Sequence, residues 1–167
     1  RRFERLRFEL GQEQNLRCGT QNYIGNETLA IALKAIEEEK DSWPEALQHK
    51  LHFEEQLRRQ FPQLIVIGDA AQRLPTNTFL SYPGIHGQAV QIELESRNIF
   101  VTTSSACSDN DPHSSPVIKA MGFDDAVGRG AVRVAVHPPI AKEQYPLLEK
   151  AFYDVYKKLE KIVTLTR

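Results

Sequence analysis

The carboxyl-terminal part of the chain carries the pattern that most restricts its fold. Between residues 145 and 162, large apolar residues recur at alternating spacings of three and four. This spacing predicts one helix with a continuous apolar stripe, formed by Tyr145, Leu148, Phe152, Val155, Leu159 and Ile162. The stripe is shorter than three heptads, so we expect the helix to pack on a sheet and not in a coiled coil.

Earlier segments alternate between helical and strand-like patterns. Helical spacing predicts helices at residues 26–40, 42–61, 86–97 and 116–121. A buried stripe is expected on the first of them, formed by Leu29, Ala32, Leu33 and Ile36. Short apolar runs predict strands at residues 64–67, 78–82, 99–102 and 131–136. The alternation predicts an α/β fold in which a short sheet of three or four strands is packed with helices.

Composition limits the class of protein. A chain of 167 residues with 41% hydrophobic and 26% charged residues is typical of one soluble globular domain. Its net charge of −1 gives no reason to expect a nucleic acid or an acidic membrane as a partner. Two cysteines, Cys18 and Cys107, are too few for a disulfide framework, and no signal peptide or long apolar stretch is present. We therefore expect a protein of the reducing cytoplasm. Because the sequence starts without a methionine, we also expect a piece of a longer protein.

Cys107 lies in a polar segment, residues 103–111, in which seven of nine residues are Ser, Thr, Asp or Asn. A cysteine that serves packing normally has apolar neighbours. We therefore interpret Cys107 as a candidate nucleophile, with a free thiol of no function as an equal alternative. The absence of a large apolar anchor also predicts that this segment is mobile.

Two motifs resemble the cysteine desulfurases, which are pyridoxal-phosphate enzymes of the class V aminotransferase family. One motif surrounds Cys107 as Ser-Ser-Ala-Cys-Ser and is followed by Met121-Gly122 and by Arg133 in an apolar run. The other, residues 11–22, is similar to the family's Gly-Gln-Glu…Arg-x-Gly-Thr motif. The resemblance covers essentially the whole chain. It implies that sulfur is removed from L-cysteine, that L-alanine is released, and that Cys107 holds the sulfur as a persulfide for transfer to an acceptor protein.

The same resemblance implies roles for two further residues and a larger assembly. Arg133 is implied to bind the substrate carboxylate. Thr20 is implied to reach the phosphate of pyridoxal phosphate in the neighbouring subunit, and hence a homodimer is expected. Residues 1–22 are implied to be the end strip of the large cofactor-binding domain, and residues 23–167 the small carboxyl-terminal domain that carries the cysteine loop.

The family's cofactor lysine is implied to lie upstream, in a Ser-x-His-Lys context. No lysine of this chain has such neighbours. We therefore expect the 167 residues by themselves to be inactive, with the cofactor bound mainly by the upstream part.

The residues themselves also single out Arg133. An arginine within an apolar run is costly unless it is paired, and a guanidinium is the planar two-donor group that suits a carboxylate. The alternative is an arginine on an edge strand that points to water.

Other polar residues allow rival interpretations. A histidine at position 113 could activate the Cys107 thiol, although we favour a solvated loop residue, and we interpret Cys18 as structural. A cysteine hydrolase that pairs Cys107 with His113 or His137 is one alternative function. A cofactor-free sulfur carrier or thiol-based interaction domain is another. His49 and His52 are three residues apart without a completing ligand cluster, so no metal site is expected.

Overall fold

The computed structural model describes residue 12 and residues 19–104 and 115–165 of the chain. Short 3₁₀ turns occur at Lys40–Ser42 and Pro138–Ile140. The helices and strands, in chain order, are α1 (Tyr23–Glu38), α2 (Trp43–Gln60), β1 (Ile65–Val66), β2 (Asn77–Ser81), α3 (Gly87–Glu95), β3 (Thr102–Thr103), α4 (Pro116–Ala120), α5 (Asp125–Arg129), β4 (Ala131–Ala135) and α6 (Ala141–Leu165).

The four strands form one sheet in the order β1-β2-β4-β3, and every neighbouring pair is antiparallel. The register places Leu80 opposite Val132 and Phe79 opposite Arg133. Because successive strand residues point to opposite faces, these two pairs lie on different sides of the sheet. The prediction of a short sheet packed with helices is confirmed.

One face of the sheet is covered by α2, α3 and α6. Leu80 and Val132 are fully buried there, in one apolar cluster with residues of all three helices. Aromatic rings join α2 to α6: the ring centroid of Phe53 lies 5.7 Å from that of Phe152, and that of Phe61, the residue after α2, lies 5.3 Å from that of Tyr156. The predicted stripe of α6 is buried from Tyr145 to Leu159, whereas Ile162 is 48% exposed.

The described residues cover the opposite face only in part. Ile118 of α4 and Val127 of α5 pack with Ala131 in a second, smaller cluster, against which Phe79 is partly buried. The short helix α5 was not predicted from hydrophobic spacing. Its local signal is polar, since the side chain of Asp124 accepts a hydrogen bond from the Val127 N–H at 2.9 Å and so caps the helix.

The expectation of a buried stripe on α1 is wrong. The chain divides into two compact units, residues 1–40 and 41–167, and α1 belongs to the first. None of its residues is buried, and Leu29 and Leu33 are 59% and 57% exposed. Within the described part of this unit, α1 has no second α-helix or strand beside it that could cover its apolar face. The domain boundary expected at residue 22 concerns a longer protein and stays a prediction.

The third strand begins later than predicted. Residues 99–102 were expected to be extended, but β3 consists of Thr102 and Thr103, and Phe100 is 79% exposed. Asn98 adopts φ 59°, as expected of a left-handed residue after a helix. The Ile99 N–H then donates to the Leu94 carbonyl at 3.0 Å. Ile99, the first residue of the apolar run, is therefore hydrogen-bonded to the end of α3, and strand pairing starts only at Thr102.

A buried ionic cluster ties α2 to the segment before β2. Arg73 donates to both carboxylate oxygens of Glu54 at 2.6 and 2.7 Å, and Thr78 donates to the same carboxylate at 2.8 Å. The Lys50 ammonium donates to the Leu74 carbonyl at 2.8 Å. Burial and the neighbouring Arg73 lower the pKa of Lys50. Because Lys50 and Glu54 are almost fully buried, each depends on its partners inside the protein.

Candidate active site

Arg133 lies on the open part of the second sheet face. Its neighbours in β4, Val132 and Val134, point into the main core, whereas Arg133 and Ala135 are exposed on the other side. The alternation of the strand therefore presents one guanidinium on an otherwise apolar strand. The structure places this candidate site residue in solvent and not in the core.

Two cross-strand neighbours flank Arg133. Thr102 of β3 lies opposite it on one side and Phe79 of β2 on the other. The Arg133 Nε–H donates to the Thr102 Oγ1 at 3.2 Å. Among the described residues, no carboxylate forms an ion pair with Arg133. Thr102 was not predicted from the sequence, because the pairing of residues 31 positions apart depends on strand register.

The segment that contains Cys107 departs from the same place. Ser104 follows β3 directly, and its N–H donates to the Ala131 carbonyl at 3.4 Å. Its Oγ donates to the Gly128 carbonyl at 2.8 Å. These contacts fix the end of β3 against the junction of α5 and β4. Cys107 and His113 lie in residues 105–114, which are outside the described residues, and so is Cys18 at its own position. The expected mobility of the Cys107 loop concerns the same segment and stays a prediction.

The junction of α5 and β4 is packed backbone against backbone. A Cβ added at Gly130 would lie 2.8 Å from the Tyr82 carbonyl oxygen, 2.9 Å from the Ser81 Oγ and 3.1 Å from the Ile85 carbonyl oxygen. Such distances leave no room for a methyl group unless the backbone shifts. The close approach therefore sets the position of the first residue of β4, two residues before Arg133.

We expect Gly130→Ala to lower the free energy of unfolding by about 1–3 kcal/mol, because overpacking of a fixed site costs that much. Urea unfolding followed by circular dichroism measures the change. Gly84→Ala is a useful comparison, since Gly84 has positive φ but no atom within 4 Å of an added Cβ. A loss smaller for Gly130→Ala than for Gly84→Ala would show that backbone conformation, and not close packing, governs these glycines.

Thr20 lies in the first compact unit, two residues before Asn22, the N-cap of α1. It follows Gly19, whose φ is +93°, and its side chain is exposed. The Asn22 side chain caps the helix by accepting from the Gly25 N–H at 3.0 Å. An exposed hydroxyl at the start of a helix of 16 residues suits a phosphate group, because the amino-terminal end of a helix attracts anions.

His137, the described histidine that the sequence analysis considered as a partner of Cys107, lies away from the Ser104 anchor. His137 is located beyond the end of β4, at the opposite end of the strand from the Ser104 anchor. The Nε2 of His49 is 3.5 Å from Glu45. In the parts of the chain that the structure describes, no group of three or more His, Cys, Asp and Glu residues could hold a metal ion. Because Cys107 is outside the described residues, the alternative of a Cys107–His137 pair stays a prediction.

Two surface grooves of the second unit are lined by residues other than Arg133. One, of about 670 Å³, is lined by residues such as Tyr82, Gly84 and Glu160. Another, of about 450 Å³, is lined by Phe100, Val136 and Leu147. Arg133 instead lies on an open sheet face, where a bound substrate would need a second surface to exclude water.

Membrane insertion has no candidate segment among the described residues, because none of their helices is both long enough and apolar enough to span a bilayer.

No family model matches the chain, but related proteins are found in several bacteria. The chain is 30% identical over 152 residues to a cysteine desulfurase of Sinorhizobium fredii, which covers 89% of the chain and 38% of the relative. It is 31% identical over 157 residues to a putative cysteine desulfurase IscS 1 of Bacillus subtilis. That match covers 92% of the chain and 41% of the relative. The chain thus spans about two fifths of the length of the curated relatives it matches.

Solved structures with the same fold agree with these relatives. A NifS-like protein superposes with a TM-score of 0.74 at 25% identity, over 93% of the chain and 39% of that protein. A NifS-like protein from Rickettsia africae gives a TM-score of 0.73 at 22% identity, with 93% and 41% coverage. The chain is therefore similar in sequence to part of several cysteine desulfurases and in fold to part of NifS-like proteins.

Proposed function

We propose that this chain is the part of a cysteine desulfurase that binds the substrate carboxylate and carries the sulfur-accepting cysteine. The reaction removes sulfur from L-cysteine, releases L-alanine and leaves the sulfur on Cys107 as a persulfide, which is then passed to an acceptor protein. The observation that carries the proposal is the position of Arg133 on an open sheet face. There Arg133 lies opposite Thr102. Thr102 is two residues before Ser104, whose hydrogen bonds fix the start of the segment that contains Cys107.

Arg133 supplies the binding of the substrate carboxylate. Its guanidinium is exposed and has no acidic partner among the described residues, so a carboxylate can approach its planar donor edge. Charge-assisted pairs of this kind are short and directional. The neighbouring valines are buried and hold the backbone of β4 in place, so that binding does not require the strand to reorganise.

Cys107 supplies the nucleophile. It lies three residues after Ser104, and three residues of extended chain reach about 10–11 Å. The anchor of Ser104 therefore keeps the thiol within reach of a substrate held at Arg133. The Cys107 thiolate attacks the substrate sulfur, a sulfur–sulfur bond forms and the carbon–sulfur bond breaks. The electron pair of the broken bond stays with the carbon, which takes up a proton to give alanine.

Pyridoxal phosphate, when bound, supplies the electron sink for that electron pair. Thr20 fits one part of the cofactor, because its exposed hydroxyl and the start of α1 suit the phosphate. We propose that Thr20 contacts the phosphate across a homodimer interface. The buried lysine of the described chain, Lys50, donates to the Leu74 carbonyl and so is structural. No lysine of this chain lies in the Ser-x-His-Lys context that the resemblance implies, so we propose that the covalent attachment comes from a lysine outside these 167 residues.

In the full-length protein, we expect Arg133→Ala to raise the KM for L-cysteine by roughly 10- to 150-fold, because a hydrogen bond to a charged group contributes about 1.5–3 kcal/mol. The dissociation constant of L-alanine, which has the carboxylate but no thiol, should rise by a similar factor in calorimetry. Arg97→Ala is the matched control, since Arg97 is bound to Asp154 on the surface. Unchanged constants in Arg133→Ala would make Arg133 a solvated strand residue and would refute its role in binding.

A further inference from the structure

Three side chains form a row across the open sheet face. Thr102, Arg133 and Phe79 occupy directly opposed positions of β3, β4 and β2. Directly opposed residues of antiparallel strands have Cβ atoms about 4.5–5.5 Å apart. Phe79 is partly buried and packs against the smaller apolar cluster. The Arg133 side chain is therefore bounded by an aromatic ring on one side and by a hydroxyl on the other.

The hydrogen bond within this row uses one particular edge of the guanidinium. The Nε–H of Arg133 donates to the Thr102 Oγ1 at 3.2 Å. A guanidinium carries five N–H donors in a rigid plane, and a carboxylate can pair with it through Nε and one terminal nitrogen or through the two terminal nitrogens. With Nε occupied by Thr102, the fork of the two terminal nitrogens is the two-donor edge that remains.

We propose that Thr102 is a positioning residue, which holds the Arg133 guanidinium by its Nε edge and thereby selects end-on binding of the substrate carboxylate at the two terminal nitrogens. This inference rests on the proposed function of Arg133. Thr102 does not touch the substrate. Its effect is to reduce the number of orientations that an exposed arginine side chain samples before the substrate binds, and so to lower the entropic cost of binding.

The backbone environment of Thr102 makes it suited to this role. It is a β-branched residue with restricted χ1, and β3 is paired with β4. The following residue, Thr103, is buried on the other side, and Ser104 is fixed by its bonds to the Ala131 and Gly128 carbonyls. The hydroxyl of Thr102 is therefore presented from a fixed strand and not from a free loop.

The test compares three substitutions in the full-length protein. Thr102→Val removes the hydroxyl but keeps a β-branched side chain of similar shape, Thr102→Ser keeps the hydroxyl, and Thr103→Val makes the same change on the opposite face of β3. For Thr102→Val we expect the KM for L-cysteine and the dissociation constant of L-alanine to rise about threefold to tenfold, because the released Arg133 side chain must then be immobilised when the substrate binds. Thr102→Ser and Thr103→Val should leave both constants within about twofold, which is ordinary for a change that leaves the hydrogen bond to Arg133 in place.

A double-mutant cycle separates positioning from general structural support. In the Arg133→Ala background, Thr102→Val should have no further effect on either constant, because coupled residues are non-additive. The inference is overturned if Thr102→Val leaves both constants unchanged while Arg133→Ala raises them, or if Thr102→Val has its full effect without Arg133. If Arg133→Ala itself leaves both constants unchanged, the proposed function of Arg133 fails first and the role of Thr102 falls with it.

Discussion

Replacing Cys107 by serine is expected to reduce the formation of alanine from cysteine by at least about a thousandfold, because loss of a catalytic nucleophile removes most of the rate enhancement. Serine has a similar size, but its hydroxyl is not ionised near neutral pH and forms no persulfide. The measurement is the rate of alanine release by the full-length protein at saturating cysteine. Binding of L-alanine should be unchanged, because it depends on Arg133 and not on the thiol.

The matched control for this substitution is Cys18→Ser, which removes the other cysteine of the chain. This variant should retain the parent rate, since we interpret Cys18 as structural. Full activity of Cys107→Ser, or loss of activity in Cys18→Ser alone, would transfer the chemistry to another group. Such a result would also renew interest in a cofactor-free function of the polar segment.

The largest effect on stability is expected from Glu54→Ala. This change leaves Lys50 and Arg73 beside each other without the carboxylate that compensates them, and breaking a buried ion pair typically costs about 3–5 kcal/mol. Glu54 also accepts from the hydroxyl of Thr78, a fully buried residue of β2, which would lose its partner. We expect the free energy of unfolding in urea, followed by the fluorescence of Trp43, to fall by that amount.

Glu55 offers a matched control on the same helix. Its ion pair with Arg59 is exposed on both sides, and exposed pairs contribute about 0–1 kcal/mol. Glu55→Ala should therefore change the free energy of unfolding by no more than this. If the two substitutions had equal small effects, the Glu54 cluster would be solvated in solution and would not hold the segment before β2.

The elements that could be predicted were those whose signal lies within a few residues. The stripe of α6 as far as Leu159, the left-handed Asn98 and the strand around Arg133 are local patterns, and each occurs in the structure as expected. The start of β3 was misplaced because a hydrogen bond from Ile99 to the end of α3 competes with the strand. Apolar spacing in α1 indicates a face suited to packing, but it does not identify what covers that face.

The candidate site was predictable only residue by residue. Arg133 was identified because a charge in an apolar run requires an explanation. Its partner Thr102 was missed, because their contact depends on the register of β3 with β4. The buried cluster of Lys50, Glu54 and Arg73 was also missed. In the sequence these three residues resemble solvent-exposed charged residues of a helix and a loop. Only the folded structure brings them together in a buried cluster.

The central claim is that Cys107 receives sulfur from L-cysteine, and mass spectrometry of the full-length protein tests it directly. Cysteine is added, free thiols and persulfides are alkylated, and the peptides containing Cys107 and Cys18 are compared. We expect one additional sulfur atom on the Cys107 peptide, removable by a thiol reductant and reduced in Arg133→Ala at low cysteine concentration. An unmodified Cys107 peptide, or an adduct found on Cys18 instead, would contradict the account.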